Sequence, residues 1–220
     1  MPKRKILFIK GEYYHVYNRG NSKQKIFHDD EDYQRFCALL YACNQKGHFK
    51  IDDLSKKETP YNLNIQDFIV AIGCYALMPN HFHLLITPIN DGDITQFMLK
   101  VITAYVMYYN KKYKRTGSLF EGRFKVQHVT SETHLQYLYA YLHLNALKLF
   151  DYSWKEKGIK NLSNAIIYLK SYPYSSLLDY LEIKRIQNKI INPKFFPDYF
   201  PTNKEVWKDI FSWIKPLGPA

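Results

Sequence analysis

The sequence predicts an α+β fold: one antiparallel sheet with helices on one face, followed by a helical or irregular C-terminal extension. Three observations predict it. Segments with strand-like alternation are separated by amphipathic helices. A nearly all-apolar segment is followed at once by a tight turn and a second strand. The resulting order of strand, helix, strand, strand, helix, strand matches the ferredoxin-like split βαβ arrangement.

The first elements are a strand, a helix and a loop. Residues 12–18 are rich in Tyr, His and Val, which is typical of a strand. Residues 31–44 place apolar side chains at helical spacing, and Gly47 is expected to end this helix. Residues 51–64 are polar, so we expect a loop there.

A hairpin and the clearest helix come next. Residues 68–77 are almost entirely apolar, as expected for a central strand covered on both faces. Pro79 and Asn80 predict a tight turn, and residues 81–86 return as the neighbouring strand. Residues 93–109 carry one continuous apolar stripe, which predicts an amphipathic helix.

The last core elements are a strand and a helix. Residues 123–129 alternate between polar and apolar side chains, which predicts a half-exposed strand. Thr130 or Ser131 is expected to cap a helix that runs to about residue 149. We predict a core over residues 1–150 and an extension over residues 151–220 that packs on it.

Composition narrows the class of protein. The 220 residues are enough for one substantial core, and 46% hydrophobic with 23% charged residues excludes a disordered chain. No apolar run reaches the roughly 20 residues that a membrane span needs, and we expect no signal peptide. The cysteines, Cys37, Cys43 and Cys74, lack metal-type spacing and suit free thiols in a reducing cytoplasm.

The net charge of +11 favours phosphates as partners, because binding releases counterions from nucleic acid. A lysine-rich genome composition is the alternative explanation. The 20 tyrosines could stack on unpaired bases, although core packing explains many of them equally well.

Two histidines two positions apart are the most informative local pattern. Successive strand residues point to opposite faces, so His81 and His83 share one face while Phe82 points to the other. Two imidazoles on a rigid strand form half of a site for a divalent cation. The alternative is a pair of ordinary half-buried histidines. A zinc enzyme would need a third strong ligand.

The helix predicted from about residue 131 to 149 carries a candidate nucleophile. Tyr141 and Asn145 lie four residues apart and share a face, whereas His143 lies on the far side. A phenol with its usual pKa of about 10 needs a metal or a base to become nucleophilic. An amide oxygen with two imidazoles would suit Mg²⁺ or Mn²⁺. The pattern alone does not distinguish Tyr141 from Tyr137 or Tyr139.

Several motifs in order resemble the REP-associated tyrosine transposases, single-tyrosine transposases of the insertion-sequence-200 type with a histidine–hydrophobe–histidine motif. The resembling segments, which fall within residues 12–180, are YHVYNRG at 14–20, LMPNHFHL at 77–84, GSLFEGRFK at 117–125, YLHLN at 141–145 and YSS at 174–176.

The resemblance implies a transposase-like catalytic domain that nicks single-stranded DNA near palindromic hairpins and transfers the strand. Tyr141 would be the nucleophile and form a 5′-phosphotyrosine; His81 and His83 would bind Mg²⁺ or Mn²⁺, with Asn145 as third ligand. Such a protein would act as a monomer or homodimer at the nucleoid in a bacterial cytoplasm. One departure is that Ala146 replaces the family's usual proline, so we do not expect the helix to bend or stop there.

Basic residues are candidates for contacts with the DNA backbone. Lys114 and Arg115 lie in a basic turn, Arg123 and Lys125 share one strand face, and Arg19 ends the first strand. A solvated basic surface is the alternative.

Three functions compete. The first is a transposase-type endonuclease and strand transferase. The second is a non-catalytic hairpin-binding protein on the same fold. The third is a zinc hydrolase, which ranks last because neither a third strong ligand nor a positioned glutamate base is evident in the sequence.

Overall fold

The computed structural model describes residues 7–47, 59–199 and 203–213. Its centre is a four-stranded antiparallel sheet in the order β2-β3-β1-β4. The strands are β1 (Tyr13–Arg19), β2 (Val70–Met78), β3 (His81–Pro88) and β4 (Lys125–Val129). Two helices, α1 (Asp30–Ala42) and α2 (Asp93–Lys112), make the connections between strands. The predicted ferredoxin-like order and α+β class are confirmed.

One face of this sheet is the main hydrophobic core. Phe82, Leu84 and Ile86 point from β3 toward α1 and α2, as the alternation predicted, and all three side chains are fully buried. Full burial of each such side chain stabilises the fold by about 1.5–3 kcal/mol. The two crossover helices therefore lie on the predicted face.

The other face is covered by a third helix, α3 (Glu132–Leu144), which corrects the prediction that the helices lie on one face. Leu138 and Leu142 of α3 pack with Cys74 and Leu85, which point away from the main core. Every residue of β2 is buried, so the sheet needs an apolar cover on both faces. The sequence pattern of α3 showed an apolar stripe but not which face it would cover.

The end of α3 is also different from the prediction. Ser131 caps its N-terminus, because its side chain accepts a hydrogen bond from the His134 amide at 3.2 Å. The helix ends at Leu144, however, and a short helix, α4 (Leu147–Phe150), follows. Asn145 and Ala146 keep right-handed helical backbone angles, and hydrogen bonds between residues three apart tighten the chain between the two helices.

The C-terminal part wraps around the core. It contains α5 (Trp154–Lys157), α6 (Leu162–Ser171), α7 (Leu177–Tyr180) and α8 (Asn203–Ser212). Ahead of α7 the chain runs beside the free edge of β2, where Leu77 N donates to Tyr174 O at 2.9 Å and Ser176 N donates to Tyr75 O at 3.0 Å. These bonds satisfy backbone groups that an edge strand would otherwise leave open. The division at residue 150 stays a prediction.

Other predictions concern single features. The cysteines are buried free thiols, as expected. The predicted loop at 51–64 lies partly outside the described residues, and its described part contains a 3₁₀ turn at Pro60–Asn62. Over the described ranges, no helix combines the length and apolar character that crossing a bilayer requires.

Candidate active site

The sheet face beneath α3 carries a cluster of polar and aromatic side chains. Residues paired across antiparallel strands point to the same face. Tyr17 pairs with His83 on one side and with Lys125 on the other, while Arg19 pairs with His81. The strand register therefore brings the two predicted histidines, two of the predicted cationic residues and a tyrosine onto one surface.

The two histidine rings lie close together and are held by neighbouring side chains. Their centroids are 5.0 Å apart, and the ring planes are nearly perpendicular. His81 Nδ1 lies 2.6 Å from Asn80 Oδ1, which only accepts, so Nδ1 carries the hydrogen. His83 Nδ1 lies 2.9 Å from His15 Nε2, and one of these nitrogens donates to the other. The Nε2 atoms of His81 and His83 are not used in these bonds.

Burial keeps these imidazoles neutral. Desolvation lowers the pKa of His15 to about 4, and His134 adds to the effect. Desolvation, then Lys148 and Arg19, lower the pKa of His81 to about 4, and the pKa of His83 lies well below its usual range. A neutral imidazole is the form that binds a metal.

Tyr141 is the tyrosine of α3 that meets the histidines. Its ring centroid lies 5.7 Å from that of His83 and 6.2 Å from that of His15, edge-on in both cases. Tyr139 is instead buried in the core beside α3, and Tyr137 is 40% exposed. Burial, then the nearby Tyr137, raise the pKa of the Tyr141 phenol above its ordinary value. The phenol therefore needs a positive charge nearby before it can ionise.

Asn145 directly follows the last residue of α3 and carries an unpaired amide. Its side chain is fully buried, and neither Oδ1 nor Nδ2 has a hydrogen-bond partner among the described residues. Such an orphaned buried amide fits a site that awaits a ligand. Within the part of the chain that the structure describes, no group of three or more His, Cys, Asp or Glu side chains is arranged to hold a metal ion. Among the described residues, the unpaired amide of Asn145 is a candidate for a third ligand beside the two histidines.

The predicted phosphate-binding residues separate into two groups. Lys125 is exposed on the histidine face, and the exposed Arg123 precedes β4. Arg19 reaches the same face, but its Nε donates to Glu121 Oε1 at 2.8 Å. Lys114 and Arg115 follow the end of α2 on the opposite face, where the Arg115 guanidinium lies 5.4 Å from the ring of Tyr109 in the main core. These two residues are not part of the cluster around the histidines.

Two residues near the candidate active site, His15 and Lys155, were not predicted from the sequence. His15 could have been found, because Tyr14 and Val16 point into the main core and alternation then places His15 on the opposite face. Lys155 gave no such signal, since it belongs to no motif and reaches the site only through the folding of the C-terminal part. Its Nζ lies 4.1 Å from the centroid of the Tyr141 ring.

His143 lies on the far side of α3 from the histidine cluster, as predicted, and this side of the helix is covered. It is fully buried, and its Nε2 lies 2.8 Å from Ser176 Oγ. The reason is that the segment beside β2 covers this side of α3. Burial lowers the pKa of His143 to about 3.

Comparisons with known proteins agree with this arrangement. Residues 60–145 match the family model described as "Transposase IS200 like", and this segment contains His81, His83 and Tyr141. A solved structure, described as "Structure of the REP associates tyrosine transposase bound to a REP hairpin", aligns with a TM-score of 0.53 and 12% identity. The alignment covers 85% of this chain and 90% of that chain. No curated protein sequence matches. The resemblance predicted from the sequence is therefore confirmed: the chain matches the IS200-like transposases over residues 60–145 and has the fold of a REP-associated tyrosine transposase.

Proposed function

We propose that the protein is a metal-dependent endonuclease and strand transferase that cleaves single-stranded DNA through Tyr141. The family match supports a transposase-type role in DNA processing. The observation that carries the finer proposal is the position of the Tyr141 ring, 5.7 Å from the ring of His83. A phenol beside a neutral imidazole pair is a suitable arrangement for attack on a phosphodiester.

In the proposed reaction the Tyr141 hydroxyl oxygen attacks the phosphorus and loses its proton. A new P–O bond joins the phenol to the 5′-phosphate and the bond to the 3′-oxygen breaks. The proton that the phenol loses passes to solvent, and the departing 3′-oxygen takes one up from solvent, which frees a 3′-hydroxyl. In strand transfer, a 3′-hydroxyl attacks the phosphotyrosine and restores the phenol. Each step exchanges one P–O bond for another, so no oxidant or energy-rich cofactor is needed.

His81 and His83 fit a divalent cation. Their Nδ1 atoms are engaged by Asn80 and His15, which leaves Nε2 of each ring for a metal, and the amide of Asn145 is a further candidate ligand. A bound Mg²⁺ or Mn²⁺ would supply Lewis-acid polarisation of the phosphate. Asn80 and His15 fix the ring orientations before substrate arrives, so the site is organised in advance.

The proposed substrate is single-stranded DNA with a hairpin. The structural neighbour is described as bound to a REP hairpin, and the net charge of +11 suits a polyanionic partner. Lys125, Arg123 and Arg19 are the residues proposed to contact the backbone near the histidines. Lys114 and Arg115 are proposed to contact DNA only if it passes around the end of α2.

The test is covalent capture. Labelled hairpin oligonucleotides with randomised stems and unpaired flanks are incubated with protein and Mn²⁺, and adducts are resolved under denaturing conditions. Wild-type protein is expected to form an adduct and Tyr141→Phe to form none while still binding DNA. Tyr152→Phe is the matched control, because Tyr152 is 87% exposed and lies outside the cluster around the histidines, and it should keep the adduct. Adduct formation by Tyr141→Phe would contradict the assignment.

The second candidate function is hairpin binding without catalysis. It is favoured by the lack of a three-residue His, Cys, Asp or Glu ligand group among the described residues. Calorimetric titration with Mn²⁺ separates the two. An active enzyme is expected to bind Mn²⁺, and His81→Ala is expected to abolish the binding. Wild-type protein that binds hairpins but no Mn²⁺ would favour the binding module.

A further inference from the structure

A cavity next to Tyr141 is not used by the proposed cleavage chemistry. Its volume is about 180 Å³, and it opens to solvent beside α3. Residues from α3, from α5 and from the end of α8 line it: Tyr137, Tyr141, Leu144, Trp154, Lys155 and Trp213. Four of these six residues are aromatic and one is cationic, which is the composition of sites that hold unpaired bases.

The aromatic rings form a continuous wall. Tyr137 stacks on Tyr141 with centroids 5.8 Å apart, and Trp213 meets Tyr137 edge-on at 5.2 Å. Tyr137 and Trp213 are each 40% exposed. Large rings left accessible around a concave surface, beside a candidate nucleophile, provide stacking faces that the fold itself does not fill.

The cavity also contains a cation suited to a phosphate. Trp154 contributes part of the apolar wall and is only 6% exposed. Lys155 forms no ion pair with the described side chains, although its Nζ lies 4.1 Å from the ring of Tyr141.

The charge around Tyr141 is positive. Lys155 lines the cavity, and Lys148 lies on α4, the short helix that follows α3. Partial burial, then Lys148, lower the pKa of Lys155 to about 8. An anion placed beside Lys155 would offset the repulsion between Lys148 and Lys155.

We propose that this cavity is a nucleotide subsite: one unpaired base of the DNA strand inserts beside Tyr137 and Trp213, and Lys155 binds the adjoining phosphate next to Tyr141. The inference rests on the proposed function for the identity of its ligand, single-stranded DNA. Its role is to hold the strand in register, so that the phosphate beside the bound base is the one presented to the phenol.

The experiment measures binding in the Tyr141→Phe protein, which separates it from cleavage. Fluorescence anisotropy gives the Kd for a hairpin oligonucleotide selected for binding, and for versions in which each flanking nucleotide in turn is abasic. One abasic position is expected to weaken binding about 5- to 100-fold. When Trp213→Ala is added to the Tyr141→Phe protein, binding of the intact strand should weaken by a similar factor. Binding of the strand that lacks the critical base should not weaken further.

The matched control is Tyr152→Ala. Tyr152 is 87% exposed and does not line the cavity, so its removal should leave both affinities unchanged. Lys155→Gln is expected to weaken binding and to reduce the salt dependence by about one phosphate contact, whereas Lys155→Arg should preserve it. Circular dichroism of each variant checks that it is folded.

The inference is overturned if Trp213→Ala binds the intact strand as tightly as its parent, or weakens intact and abasic strands equally. The proposed function can fail separately, because an adduct assay reports cleavage and the abasic series reports the subsite. Base-specific binding without any adduct in the wild type would support the subsite and reject the nuclease. An adduct in the wild type, without any effect of abasic positions on binding, would support the nuclease and reject the subsite. If no hairpin oligonucleotide binds, both proposals are rejected.

Discussion

The two faces of the sheet are built from the same strands but have different roles: one forms the main hydrophobic core, and the other carries the candidate active site. Val16 and Phe82 point into the main core, while their neighbours His15 and His83 point to the face beneath α3. The apolar face is closed by α1 and α2 and fixes the backbone. The other face is covered by α3 around Cys74 and Leu85, and it is polar around the histidines, where Lys125 is exposed. The difference teaches that tight packing on one side of a strand holds the functional groups on its other side in place.

Adjacent residues of β3 provide the strongest test of this comparison. Phe82→Ala is expected to lower the free energy of unfolding by about 3–5 kcal/mol, because it leaves a cavity in the main core. His81→Ala removes a half-buried ring and one hydrogen bond, so its cost should not exceed about 1.5 kcal/mol. Urea denaturation of both variants measures the difference. Equal losses in the free energy of unfolding would show that the two faces contribute equally to stability, which would contradict the comparison.

The second prediction concerns how the polar face is organised. His15 meets His83 through a 2.9 Å nitrogen–nitrogen contact, so it should orient His83 toward a metal. His15→Ala is expected to weaken Mn²⁺ binding about 10- to 100-fold by calorimetry. His15→Gln, which can still accept a hydrogen bond, should recover part of the loss. His128→Ala serves as the control, since His128 pairs with Glu12 at the sheet edge. Unchanged Mn²⁺ affinity in His15→Ala would remove this role.

The third prediction concerns how the stability of the fold depends on pH. Burial lowers the pKa of His143 to about 3, against an ordinary 6.5, so below pH 6.5 the unfolded chain binds a proton that the folded chain does not. Stability should therefore fall as the pH drops from 6.5 toward 3. One histidine contributes at most about 1.4 kcal/mol per pH unit in this window.

Urea denaturation at pH 7, 6 and 5 checks this slope. His143→Gln can keep a hydrogen bond to Ser176 but cannot titrate, so its stability should fall less steeply than that of the wild type. The difference between the two slopes isolates His143 from other groups, including His15, whose pKa is also lowered. Parallel slopes would mean that His143 is protonated in the folded protein or not buried in solution.

The features that could be predicted from the sequence are those set by interactions between residues close together in the chain. The alternation of His81, Phe82 and His83 was predicted, because strand geometry fixes it locally. The order of strands and helices was also predictable from periodicity. The choice of Tyr141 came from the family resemblance, and its position against the histidines depends on α3 lying on the second face, which no local pattern encodes.

The contacts made by the C-terminal part could not be predicted from the sequence for a related reason. Lys155 lies 14 residues after Tyr141 on the separate helix α5, and its Nζ approaches the Tyr141 ring only in the folded chain. The burial of His143 depends on Ser176, which lies 33 residues further along the chain. Long-range contacts of this kind leave no periodic signal in a single sequence.

The smallest expected effect separates binding from stability at the edge of the polar face. Arg19 pairs with Glu121 through a partly solvent-accessible contact near the surface, so Arg19→Ala and Glu121→Gln should each change the free energy of unfolding in urea by no more than about 1 kcal/mol. Arg19→Ala should reduce the salt dependence of hairpin binding by about one phosphate contact. Glu121→Gln should not reduce it, because Arg19 keeps its charge and loses a competing partner. If both variants lower the salt dependence equally, the ion pair itself positions the chain, and Arg19 does not contact DNA.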